Sequence, residues 1–187
     1  GILYENASDL ISAFMPEPST NAVAANMRLA QEKFWKNGLT GLHDYDHRLS
    51  FNAIKQLYQE NTLGLRIVKN MPAELLDEVI SEGLTTGSGD TWLRIGGIKV
   101  FMDGALGART ASMLEPYELE TTNYGIVVTK QEDLLSIAKK ANTNSLAMTV
   151  HAIGDRANRE VLDVYEKLRS TEKKHGHLPS KLRHRIE

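Results

Sequence analysis

Apolar residues recur along this chain at two alternating spacings, one helical and one extended, and that alternation organises the sequence. After a loop carrying Met15-Pro16-Glu17-Pro18-Ser19-Thr20, residues 21–36 place Val23, Met27, Ala30 and Phe34 on one face, which predicts an amphipathic helix. Asn37-Gly38 then offers a stop suited to a left-handed cap. Residues 39–43 read as a short strand running into Asp44. Phe51, Ile54, Leu57 and Tyr58 mark a second helix, residues 63–68 a second strand, and Pro72 opens a helix through Leu75, Leu76, Val79 and Ile80. Past a loop over 83–90, the apolar run 92–102 reads as a third strand, with Gly96-Gly97 marking a bend within or before it. A long polar loop spans 105–124. It leads to a helix over 131–141, with Leu134, Leu135 and Ala138 inward, and to a fourth strand over 146–151. The stretch 155–168 predicts another amphipathic helix with Val161, Leu162, Tyr165 and Leu168 inward, followed by a polar linker over 170–179 and a last strand start at 182–186.

Strands alternating with helices argue for a parallel sheet covered by helices, an α/β fold in a single segment spanning residues 1–187. An eight-stranded barrel takes about 250 residues. At 187 residues, with four strands and the start of another, the chain is either part of such a barrel or a complete open sheet, and spacing leaves both open. Composition narrows the partners more than the fold. A hydrophobic fraction of 41% and a charged fraction of 25% are those of a folding chain. A net charge of -2, without Lys and Arg clustered among aromatics, excludes nucleic acid as a partner. The absence of cysteine removes disulfides, thiol nucleophiles and thiolate-bound zinc together, so any metal must be held by oxygen and nitrogen. No apolar run is long enough to cross a membrane and the first residues lack the pattern of a secretory leader. A cytoplasmic location is the expectation. The sequence begins without Met and stops in mid-motif, so its native ends are expected outside it.

In parallel α/β folds the chemistry gathers where strands end. Lys99, flanked by Ile98 and Val100 on an apolar strand, needs a reason to point inward. It either pairs with a neighbouring acid or snorkels to the rim, or it is a reactive amine able to take up carbon dioxide and, as a carbamate, bridge divalent cations. His151 ends the fourth strand and is followed by a tight turn at Gly154; it is either a hydrogen-bonded structural residue or a ligand. Asp155 sits where it could cap the next helix, and Arg156 is as consistent with bracing a loop. Asp103 to Thr110, with Arg109, matches neither phosphate-binding fingerprint; it suits a polar or carboxylate-bearing substrate, or a loop held together by its own Asp-Arg pair. His43, Asp44 and His47 are weaker ligand candidates. His175 and His177 fall in the hydrophilic linker, where solvation is expected.

Taken together, Gly38-Leu39-Thr40-Gly41-Leu42-His43-Asp44, the string from Ile98 through Asp103-Gly104-Ala105-Leu106-Gly107-Ala108-Arg109-Thr110 to Ala111, Val150-His151-Ala152-Ile153-Gly154-Asp155-Arg156-Ala157-Asn158 and Arg183-His184-Arg185-Ile186-Glu187 resemble the N-substituted formamide deformylase-like branch of the amidohydrolase superfamily. The opening string, Gly1 to Ala7, is similar to the segment before that family's second barrel strand. The resemblance implies a partial (β/α)8 TIM barrel, about strands two to five and the start of six, in a protein that binds one or two divalent metals, with zinc the usual one. It implies Lys99, carboxylated when metal is present, and His151 as metal ligands, and a metal-activated water attacking an amide or formamide carbonyl of a small-molecule substrate. Asp103 and Asp155 become the candidate catalytic carboxylates, in supporting roles at the mouth, and Arg109 and His184 the candidate substrate contacts. The family's first-strand His-x-His pair and strand-eight Asp have no counterpart here, and the strand-six His expected after Glu187 is not in the sequence. Two ligands against the four or so of a closed site imply weak metal binding or none in this segment alone. The competing expectation is a non-catalytic α/β module that binds a partner or small ligand, or that self-associates into a homo-oligomer through unpaired strand edges.

Overall fold

Five strands lie side by side, every neighbouring pair parallel, in the order β1 (Gly41–Asp44), β2 (Arg66–Pro72), β3 (Leu93–Phe101), β4 (Met148–His151) and β5 (Arg185–Ile186). Spatial order follows chain order, so each connection crosses over through a helical layer, and the sheet curls into a half-barrel. The computed structural model describes residues 3, 7, 9–12, 14–174 and 181–187; His175, His177 and most of the opening string lie outside them. The helices are α1 (Asp9–Ser12), α2 (Thr20–Lys36), α3 (Arg48–Gln59), α4 (Leu76–Ser81, after the 3-10 turn Ala73–Leu75), α5 (Gln131–Thr143) and α6 (Asp155–Lys174).

Several boundaries move from those the pattern predicts, each for a physical reason. Helix α2 starts one residue early because the Ser19 hydroxyl accepts from the Ala22 amide 3.2 Å away and caps it. The second strand starts and ends later than expected and takes in Pro72, which ends the strand before the 3-10 turn instead of opening a helix. The last helix runs to Lys174 through what reads as linker, since Glu172 is buried there between Arg169 and His184. On the same helix Leu162 faces solvent, and Val164 takes the buried position in its place.

The two faces of the sheet differ in kind. Toward the helices, Ile67, Met71, Ile98, Val100, Met148 and Val150 pack with Phe51, Ile54, Val79, Leu134, Val161 and Leu168 into one core. At about 25 cal/mol per Å² of apolar surface removed from water, this layer is the main stabilising term. The opposite face carries Asn70, Lys99, Thr149, His151 and Arg185. Leu93 and Ile95 belong to the helix side, and strict alternation would send residues 97 and 99 there too. Instead the β2–β3 register slips by one residue between Lys69 and Asn70, opposite Gly96-Gly97. That bulge swaps the faces, turning Ile98 and Val100 outward to the core and Lys99 into the half-barrel.

Candidate active site

The register sets Lys99 beside Thr149 and Phe101 beside His151, so the two candidate ligands share the concave face at the ends of adjacent strands. Phe101 touches both. Its ring centroid lies 4.4 Å from Lys99 Nζ and 5.2 Å from the His151 ring. The Lys99 ammonium pairs with the Glu187 carboxylate and sits 5.0 Å from the Tyr45 ring. Burial lowers the lysine's pKa from its usual value, opposed by the Glu187 bond. Tyr45 stands on the turn after β1; burial, then its bond to Glu187, pushes its phenol up to about 12. A cavity of about 620 Å³ opens here, walled on one side by His43, Tyr45 and His47 and on the other by Pro72, Phe101 and Val128. His43 is held below the usual histidine range by burial and then by the nearby Arg185 charge.

His151 bonds through Nε2 to the Gly104 carbonyl at 2.8 Å. With the proton on that nitrogen, Nδ1 keeps the free lone pair, which is the arrangement a ligating imidazole needs. The Asp103 carboxylate is fully buried and accepts three backbone N–H groups, from Ser112 at 2.8 Å, Ile153 at 3.0 Å and Gly154 at 2.7 Å. It thus ties the 105–124 loop to the turn after β4. Asp155 makes a second tie, accepting from the Leu114 amide at 2.8 Å. Arg109 is exposed, adopts a left-handed backbone at φ 55° and pairs with Glu120 of its own loop, so the loop's internal pair is Arg109 with Glu120 and excludes Asp103.

His184, expected to contact substrate, is placed by the structure away from the cavity that Lys99 lines. Its neighbour Arg185 faces the half-barrel, and the His184 side chain is turned the other way, enclosed between β4 and α6. Its Nδ1 accepts from the Met148 amide at 3.0 Å and its Nε2 meets Glu172 at 3.2 Å, so both nitrogens are occupied. Among the described residues no group of three or more His, Asp or Glu converges to hold a metal, the strand-end set His43, Asp44 and His47 included. Lys99 and His151 put a nitrogen donor each on one face of the sheet, and the described residues around them complete no metal-holding group.

Sequence reasoning missed the polar layer beneath Lys99. Asn70 accepts through Oδ1 from Thr149 at 3.1 Å and from Arg185 at 2.8 Å, and the Arg185 Nε is buried without a partner among the described residues. A side chain at Gly96 would meet Asn70 Oδ1 at 2.5 Å, so the glycine makes room for this layer. It also missed Tyr45 and Lys69. The available signals were the polar pair Lys69-Asn70 between apolar residues of β2 and the double glycine opposite it.

A curled sheet of parallel strands with outer helices and polar groups gathered at the strand C-termini defines a segment of a (β/α)8-type barrel. Residues 1–184 match the Amidohydrolase family, and the chain belongs to it. It is 33% identical over 173 residues to the provisionally named amidohydrolase YtcJ of Bacillus subtilis (strain 168), covering 89% of this chain and 32% of YtcJ. Protein LONG AFTER FAR-RED 3 of Arabidopsis thaliana is 28% identical over 178 residues, 89% of this chain and 30% of that protein. Two crystal structures of uncharacterized metal-dependent hydrolases superpose on it. That from Pyrococcus horikoshii OT3 has a TM-score of 0.76 at 32% identity, covering 81% of this chain and 31% of its own. That from Pyrococcus furiosus has a TM-score of 0.79 at 27% identity, covering 96% and 36%. The chain spans about a third of the length of the relatives it matches. No helix among the described residues is long and apolar enough to cross a membrane.

Proposed function

We propose that this chain is the central part of a metal-dependent hydrolase that cleaves amide- or formamide-type C–N bonds of small molecules, and that the segment by itself is inactive. The observation that carries the reading is the common orientation of Lys99 and His151 at the ends of adjacent parallel strands, at the mouth where such barrels work. Lys99 and His151 would hold a divalent metal, zinc by preference, together with residues from the rest of the barrel. A metal there supplies Lewis acidity and a lowered pKa for a bound water. Burial of Lys99 favours its neutral amine, the form that takes up carbon dioxide. Asp103 keeps the loops beside His151 in place, while Pro72, Phe101 and Val128 offer an apolar wall for the acyl or N-substituent of a substrate. A cytoplasmic location for the whole protein is part of the same proposal.

The test uses the whole protein that contains this chain, assayed on a panel of N-formyl and N-acyl amines. Lys99→Ala should lower kcat/KM by more than the roughly 100-fold that loss of a supporting residue costs. Retention of wild-type turnover in that variant would overturn the reading.

A further inference from the structure

One lysine on the opposite side of the sheet from Lys99 is fully buried and has no part in the chemistry above. Lys69 sits in β2 on the helix side, between core residues Ile67 and Met71, and its relative exposure is 0%. Its ammonium donates to the Asp44 carboxylate and to the Asp46 carbonyl. Asp44 also accepts from the Ser50 hydroxyl, 3.0 Å from both carboxylate oxygens. Two side chains therefore hold the turn that leaves β1: Lys69 from the strand beside it, bonded at both Asp44 and Asp46, and Ser50 from the first turn of α3.

Burying such a pair is weak evidence for stability, because an apolar side chain of similar volume packs as well or better. What the pair supplies that an apolar residue does not is direction. Tyr45 lies between the two residues that Lys69 grips, and its ring is the one 5.0 Å from Lys99 Nζ. Its hydroxyl is 3.4 Å from His43 Nδ1. We propose that Lys69 is a positioning residue for the candidate site, fixing the 44–47 turn from behind the sheet so that Tyr45 stands over Lys99 as one wall of the substrate cavity. The catalytic arm of its test rests on the hydrolase reading; the structural arm does not.

The test is a double-mutant cycle in the whole protein, with Lys69→Met, Tyr45→Ala and their combination, read by steady-state kinetics and by amide hydrogen exchange over residues 44–47. Lys69→Met should lower kcat/KM roughly 10-fold or more, and about twofold or less when Tyr45 is already alanine, because neighbours acting through one another are not additive. Exchange at 44–47 should speed up in Lys69→Met while the core strands stay protected. Equal losses in both backgrounds, or unchanged exchange at 44–47, would overturn the proposal. If the wild-type protein turns over no amide on the panel, the hydrolase reading fails and the exchange result alone decides whether Lys69 holds the turn. Should Lys69→Met not fold, Ser50→Ala, which removes one anchor from Asp44, takes its place: faster exchange at 44–47 supports the proposal and unchanged exchange overturns it.

Discussion

His184 shows how a single side chain couples this fold to pH. Burial is the largest influence on it and lowers its pKa from 6.5, outweighing the pull of Glu172. Its ring is neutral in the folded chain, with Nδ1 accepting from Met148. In the unfolded chain it titrates near the ordinary value, so between the two pKa values the unfolded state binds more protons and stability rises with pH. That contribution is fully present above about pH 6.5 and is lost as pH falls below it. Tm measured from pH 8 to pH 5 should therefore drop on the acid side, and more steeply in wild type than in His184→Gln; equal slopes would remove His184 as the cause. At this scale the sequence was partly legible. An inward Lys99 could be inferred from its apolar neighbours, because an ammonium on a hydrophobic strand has few places to go. The direction of His184 could not, since it depends on which face the register gives to Arg185, and a two-residue strand carries too little pattern to set that.

Elements were legible where periodicity was long and failed where a tertiary contact overrode it. The helix over residues 155–168 was visible from its apolar spacing, but its last turns depend on Glu172 finding Arg169 and His184, partners with no local signature. Leu63 and Leu65 carry a strand-like pattern that predicts the second strand early, whereas Leu63 closes on Leu57 and pairing begins only at Arg66. Hardest to foresee was the attachment of the 105–124 loop. A Cβ at Gly154 would come within 1.8 Å of the Ser112 carbonyl oxygen and 2.4 Å of its carbon, so the turn into α6 and the loop meet backbone to backbone. Gly154→Ala should force them apart, at a cost on the order of 1–3 kcal/mol as in other overpacked sites. Limited proteolysis checks this, with faster cleavage within 105–124 expected and an unchanged pattern counting against the contact.

For the whole molecule, a half-barrel with two facing ligand candidates is a different object from a metal enzyme. A closed site takes about four ligands, and the described residues gather no such set. Purified as the isolated chain, the protein should hold well under one metal ion per chain by elemental analysis, while the whole protein should hold one or two; a full equivalent on the chain alone would contradict this. β1 and β5 are the outer strands of the sheet among the described residues. The fold class could be read from strand and helix alternation, but barrel and open sheet share that rhythm, and curvature separates them only in space. The slip opposite Gly96-Gly97 has a consequence for descent as well as for shape. Adding or removing one residue in that stretch would not lengthen or shorten the strand so much as rotate everything after it by half a turn, presenting Ile98 and Val100 to the cavity and hiding the lysine among the helices. Relatives that keep the amine facing the cavity should therefore vary freely in the loops on either side, yet conserve the spacing between residues 95 and 99.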